Sequence, residues 1–176
     1  GLALARGRYV CYLDDDDFYA PQHLEPLAGA FENAGDAVVY TGVEYVAERV
    51  EAGVRVELSR QTPFEPERYD RERLFIHNYI PVNTWAHPRA LLQGVGQFDT
   101  GLTAFEDWDL LLRLAARYPL VHVPEVTAEV RTREGGSDGD DHMLSRERER
   151  FASLYQEMYR RHSDLGSERV RKGRAT

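Results

Sequence analysis

Four consecutive carboxylates, Asp14, Asp15, Asp16 and Asp17, close the apolar run RYVCYL at Arg8 to Leu13. In an extended chain alternate side chains share a face, so Asp14 and Asp16 point one way and Asp15 and Asp17 the other. Such a pair can hold a hard divalent cation such as Mg²⁺ or Mn²⁺, which takes carboxylate oxygens and completes its shell with water and substrate phosphates. Read alone, the run is equally a solvated acidic turn. A second pair, Glu106 and Asp107, heads the segment FEDWDLLLRLAARY. The unpaired amides and dipole of a helix's first turn favour the anion, so either acid could accept a proton at neutral pH. The alternative there is an ordinary capping pair.

Two metal-site patterns are tested against Asp14 directly. An EF-hand loop starting there needs Asp or Asn where Phe18 stands and Gly where Tyr19 stands, so it fails. A phosphatase-like hydrolase of the haloacid-dehalogenase type also sets Asp-x-Asp after an apolar strand, with Asp14 as nucleophile and Asp16 as acid. It calls for Thr or Val where this chain has Phe18 and for a downstream lysine, whereas the single lysine is Lys172.

These acids need elements to hold them. Arg8 to Leu13 reads as a buried strand with Cys11 as a small core residue, and Pro21 opens a helix carrying Leu24, Leu27, Ala28 and Phe31 at helical spacing. Ala37 to Ala47 reads as a strand paired with Val54 to Leu58 across Glu51 to Gly53. A long surface loop is predicted for Ser59 to Tyr69, short helices for Asp70 to Asn78 and Pro88 to Gln93, and a strand for Thr84 to His87. In the EDWD helix Trp108, Leu111, Leu112 and Ala115 make the apolar face, with Asp109, Arg113 and Arg117 along the other side. Leu120 to Val123 and Glu125 to Arg131 read as two strands, Glu134 to Asp141 as a loop, and a last helix begins near His142, capped by Asp140 or Asp141. Residues 1–162 form the folded domain, and 163–176, ending in RVRKGR, read as a polar, basic, frayed tail.

A chain of 176 residues suits one domain, and its 42% hydrophobic content with 10 Tyr, 7 Phe and 2 Trp is enough to build a core, which excludes general disorder. A net charge of -8 repels a phosphate backbone and argues against a nucleic-acid partner. No apolar stretch approaches the length of a membrane helix, so no transmembrane segment is expected. A lone cysteine fits a reducing, cytoplasmic setting, with peripheral association at the inner face of a membrane through the basic tail left open. The start at Gly1 reads as a position inside a longer gene product.

The run ARGRYVCYLDDDDFYAPQHLEPL, followed by VGQFDTGLTAFEDWDLLLRLA, resembles glycosyltransferase family 2, whose members show similar ARGxYxxxLDxDD and GxFDxxLxxxEDxDLxxR patterns. The resemblance runs from Ala5 to about Ser137. It implies an α/β fold, the Rossmann-like GT-A sandwich, and inverting transfer of a sugar from a nucleotide-diphosphate sugar to an acceptor hydroxyl on a glycan or lipid-linked glycan, as in polysaccharide biosynthesis. Asp14 and Asp16 fall on the family's Asp-x-Asp motif beside the donor and its divalent metal. Asp107 falls on the catalytic base, with Glu106 beside it.

Two departures from the family pattern matter. Where members often carry a YRxH-like run whose histidine completes the metal shell, this chain has VRTR, with Val130 and Arg133 in place of the tyrosine and histidine. His142 is the substitute within reach of the sequence, and Arg131 and Arg133 suit bidentate contacts to the donor diphosphate. The chain also has thirteen residues before Asp14, where the family has a long nucleotide-binding segment, so the fold is expected to be N-terminally truncated. Such a fragment is expected to be inactive alone, binding nucleotide sugar poorly and exposing a sheet edge that invites self-association. The other reading is a non-catalytic carbohydrate-binding or scaffold remnant of that fold. Trp85, Trp108 and His87 are candidates either for the acceptor side or for plain core packing.

Overall fold

The computed structural model describes residues 1–62, 70–133 and 148–175. The loop and helix start expected over 134–147, His142 with them, and the stretch 63–69 lie outside the described residues.

Six strands form one mixed sheet: β1 (Tyr9–Cys11), β2 (Phe18–Tyr19), β3 (Val38–Glu51), β4 (Val54–Gln61), β5 (Trp85–Pro88) and β6 (Leu120–Arg133). Their order is β1-β5-β3-β6-β2, with β4 also on β3. The long strands β3 and β6 run parallel, from Val38 opposite Leu120 to Glu48 opposite Arg133; the other pairings are antiparallel.

Successive residues of β3 point to opposite faces, and both faces are covered. Val39, with Ala86 of β5, packs against Leu27 and Phe31 of α1 (Leu24–Ala34). Val38 and Tyr40 join the larger core beneath α2 (Arg71–Leu74), α4 (Glu106–Arg117) and α5 (Arg148–Arg161). The result is a three-layer α/β sandwich.

Several boundaries differ from the sequence expectation for identifiable reasons. Helix α1 starts at Leu24, not Pro21, because Pro26 then falls in the first turn, where its missing N–H has no intrahelical partner to lose. Its preceding residue, His23, is buried and bonds Thr127 Oγ1 through Nδ1 at 2.7 Å. The two strands expected either side of Pro124 are one strand, β6, with the pairing shifted at Gly42. Pro124 has no N–H for the ladder, so the chain bulges and resumes. At Gly42 a Cβ would stand 3.0 Å from Val126 Cγ2 and 3.3 Å from the Glu125 carbonyl oxygen, so the two strands approach closely at the bulge. Strand β1 is shorter than Arg8 to Leu13, ends the sheet, and leaves Cys11 exposed, contrary to the core role expected of it.

The C-terminal residues correct a second expectation. Glu168–Arg174 forms α6, capped by Ser167 Oγ on the Arg169 N–H, after the short helix α3 (Leu92–Val95) and the helices above. Val170 is fully buried, and Arg174 bonds the carbonyls of Phe75 at 2.9 Å and His162 at 2.8 Å. The segment read as a frayed tail is an amphipathic helix docked beside α2.

No helix among the described residues is long and apolar enough to cross a membrane.

Candidate active site

The acid cluster and the EDWD helix meet at one cavity of about 750 Å³. Asp14, Asp17, Glu106 and Asp107 all line it, with Asn78, Asn83, Tyr12 and Phe105 among the remaining lining residues. Among the described residues none that lines it is basic.

The four aspartates are a turn rather than an extended run. The Asp17 N–H bonds the Asp14 carbonyl at 3.3 Å, with Asp15 and Asp16 at the tip. The turn brings Asp14 and Asp17 to the cavity, whereas simple alternation pairs Asp14 with Asp16. Asp16 is exposed beside them, near enough to act on Asp14 electrostatically. Burial first, then the negative charges of Asp16, Glu106 and Asp15, raise the Asp14 carboxyl above the ordinary range.

Asp17 was not singled out by sequence reasoning, because its partners are distant in the chain. Its Oδ1 accepts from the Arg131 backbone N–H at 2.9 Å and its Oδ2 from Asn83 Nδ2 at 3.0 Å. Burial pushes it to about 6 against the lowering effect of the Arg131 amide.

Helix α4 begins after Phe105, held in a left-handed conformation with no side-chain cap. Asp107 is half-buried and accepts from Asn78 Nδ2 at 3.1 Å. Burial raises it to about 6; the Trp108 backbone N–H and Asn78 oppose the rise, and the charges of Glu106 and Asp14 add to it. The helix terminus was expected to favour the anion, but desolvation outweighs it. Most of the group is still ionised at neutral pH, with the basicity of a proton acceptor.

Three aromatic candidates for an acceptor surface are core residues. Trp85, Trp108 and His87 are fully buried, and Trp108 Nε1 donates to the Leu74 carbonyl at 2.9 Å. His87 Nδ1 bonds the Pro88 carbonyl at 2.9 Å, which makes Nε2 the acceptor for the Tyr12 hydroxyl at 2.8 Å. Asp109, expected on a polar face, is buried: α4 is covered on that side, and Asp109 bonds His162 Nε2 at 2.9 Å and Arg113 Nη2 at 2.6 Å.

The sequence model for glycosyl transferase family 2 matches residues 1–93, more than half of the chain. The chain belongs to this family. It is 32% identical to an uncharacterized glycosyltransferase, YwdF, of Bacillus subtilis over 124 residues, covering 70% of this chain and 45% of that protein. Against the putative colanic acid biosynthesis glycosyl transferase WcaA of Escherichia coli it is 29% identical over 123 residues, 66% of this chain and 40% of the relative. The crystal structure of Staphylococcus aureus TarS 1-349 in complex with UDP-GlcNAc superposes with a TM-score of 0.63 at 17% identity, over 99% of this chain and 48% of that one. The chain therefore has the GT-A fold and spans less than half the length of these relatives.

Within this family 2 chain, Arg131 and Arg133 stand differently from the diphosphate contacts expected of them. Arg131 Nη1 lies 2.9 Å from Glu48 Oε2 and its Nη2 2.6 Å from Glu129 Oε2, with the guanidinium over the Phe18 ring. Arg133 Nε lies 3.6 Å from Glu48 Oε1. These guanidiniums neutralise the buried Glu48 and its neighbour, and Arg131 contributes to the acidic turn through its backbone amide. Lys172, which a phosphatase reading needs at the site, is paired with Glu168 on α6.

Among the described residues no three His, Cys, Asp or Glu side chains are grouped to hold a metal. Asp14, Asp17, Glu106 and Asp107 line one cavity, and carboxylate oxygens are the ligands that hard divalent cations take.

Proposed function

We propose that this chain supplies the donor-phosphate and acceptor-facing walls of an inverting glycosyltransferase. One observation carries the reading: a single cavity joins the acidic strand end to the first turn of the EDWD helix. Asp107 acts as the general base. As it takes the proton of an acceptor hydroxyl, that oxygen attacks the anomeric carbon from the face opposite the leaving group. The bond from that carbon to the diphosphate oxygen breaks, the nucleoside diphosphate departs with the electron pair, and the anomeric configuration inverts. Glu106 flanks the acceptor side of the cavity. Asp14 and Asp16 would hold a divalent ion, Mg²⁺ or Mn²⁺, which when bound supplies positive charge to the departing diphosphate.

A nucleotide-diphosphate sugar is the donor class, and UDP-GlcNAc is the first compound to test because TarS was crystallised with it. The name of WcaA points to polysaccharide biosynthesis and so to a glycan or glycolipid acceptor. By themselves the 176 residues are expected to bind such a donor weakly, because the contacts to its base and ribose are expected from a segment that this sequence does not contain. Strand β1 ends the sheet among the described residues, and its open edge supports self-association, which sedimentation velocity tests.

The decisive experiment is Asp107→Asn in the native protein that carries this chain. Transfer should fall by about 10²- to 10⁴-fold, with donor affinity unchanged in a calorimetric titration. Undiminished transfer rejects Asp107 as the base; absence of transfer in the parent protein itself would favour the scaffold reading.

A further inference from the structure

The segment from Asn78 to Asn83 borders the acidic cavity, and each of its asparagines donates to a cavity carboxylate. Asn78 Nδ2 reaches Asp107 Oδ2 at 3.1 Å, while Asn78 Oδ1 accepts from the Ile80 backbone N–H at 3.3 Å. The second bond settles the orientation of the amide. With its oxygen committed to an N–H, the nitrogen is the atom that faces Asp107. Ile80 is 2% exposed, so this anchor belongs to the core.

Resting on the reading of Asp107 as the base, we infer that Asn78 is a positioning residue that fixes one oxygen of the Asp107 carboxylate and leaves the others of its lone pairs to the acceptor hydroxyl. The charged groups acting on Asp107 are Glu106 on its own helix and Asp14 from the end of β1, both negative. An arginine at position 78 would orient the carboxylate equally well, but its charge would drive the group far below neutral pH and weaken it as a base. A carboxamide orients without neutralising. It also favours the ionised form, as a donor to a carboxylate does, and so offsets part of the rise that burial and the two neighbouring acids cause.

The test reads the carboxylate itself and needs no substrate. In native protein labelled at the aspartate side-chain carboxyl carbons, the Asp107 resonance is assigned by its loss in Asp107→Asn and followed through a pH titration. In Asn78→Leu, which keeps the γ-branched shape and removes the donor, the midpoint should move to higher pH by roughly one unit. Asn78→Asp, isosteric and negatively charged, should move it at least as far and serves if the leucine variant fails to fold. A native midpoint in either folded variant overturns the inference. That result alongside an inactive Asp107→Asn would leave the base in place and remove only its partner; an active Asp107→Asn would remove the base whatever Asn78 does.

Discussion

Asn83 holds Asp17 by a carboxamide N–H at 3.0 Å, and the same nitrogen reaches the Glu129 carbonyl at 3.2 Å. One fully buried side chain thereby straps the acidic turn to β6. Both carboxylate oxygens of Asp17 accept from the chain itself, one from Asn83 and one from the Arg131 backbone N–H, so Asp17 braces the turn. Asp17→Ala should then destabilise the fold by about 1 to 3 kcal/mol, because it strands a buried amide donor. Urea unfolding measures this, and a variant as stable as the parent would show that Asn83 finds another partner.

The pH dependence of transfer should carry the signature of Asp107. Burial raises its carboxyl to about 6, and the ionised form is the active one. The ratio kcat/KM should therefore be flat above this value and fall about tenfold for each unit below it. A profile with no inflection near pH 6 in a chemistry-limited assay would move the proton acceptor elsewhere.

Asp109 does structural work that its neighbour does not. Burial pushes it up, but the hydrogen bonds from His162 and Arg113 outweigh that and bring it from 3.8 to about 2. The depressed value means that the ionised group stabilises the fold by about 2 kcal/mol. That contribution is complete above the unfolded value of 3.8 and disappears as the pH falls through about 2. Asp109→Asn should cost this amount in urea unfolding at neutral pH, and the gap between variant and parent should close on acidification. A gap independent of pH would mean that packing, not charge, is what Asp109 supplies.

The docking of α6 should be testable at a single glycine. Gly166 has φ +98°, and a Cβ there would meet three Val170 side-chain atoms at 2.6 to 2.7 Å. Gly166→Ala combines an unfavourable backbone region with a clash against a buried side chain, and should lower stability by at least about 1 kcal/mol. Limited proteolysis should then release the C-terminal residues first. Resistance equal to the parent's would mean that α6 contributes little to the fold.

Some of this is written in local sequence. The 3.6-residue pattern of Trp108, Leu111, Leu112 and Ala115 and the hairpin at Glu51 to Gly53 depend on near neighbours, and both stand in the structure, while the apolar run before Asp14 keeps its strand only over Tyr9–Cys11. The motifs around Asp14 and Asp107 likewise pointed to the family, and the family match over residues 1–93 contains the first of them.

Tertiary structure decided the rest, since burial and hydrogen bonding belong to pairs of residues that the chain keeps far apart. Four adjacent aspartates are alike on paper. Only the turn closed by Asp17, with Asn83 and Arg131 brought to it from later segments, separates those that line the cavity from those that do not. The polar spacing of Asp109, Arg113 and Arg117 suggested a solvated face until His162 covered it, and RVRKGR looked frayed until Val170 found the core beside α2. The basicity of Asp107 follows the same rule: its helix position argues for a stronger acid, and the protein packed around it makes it a weaker one.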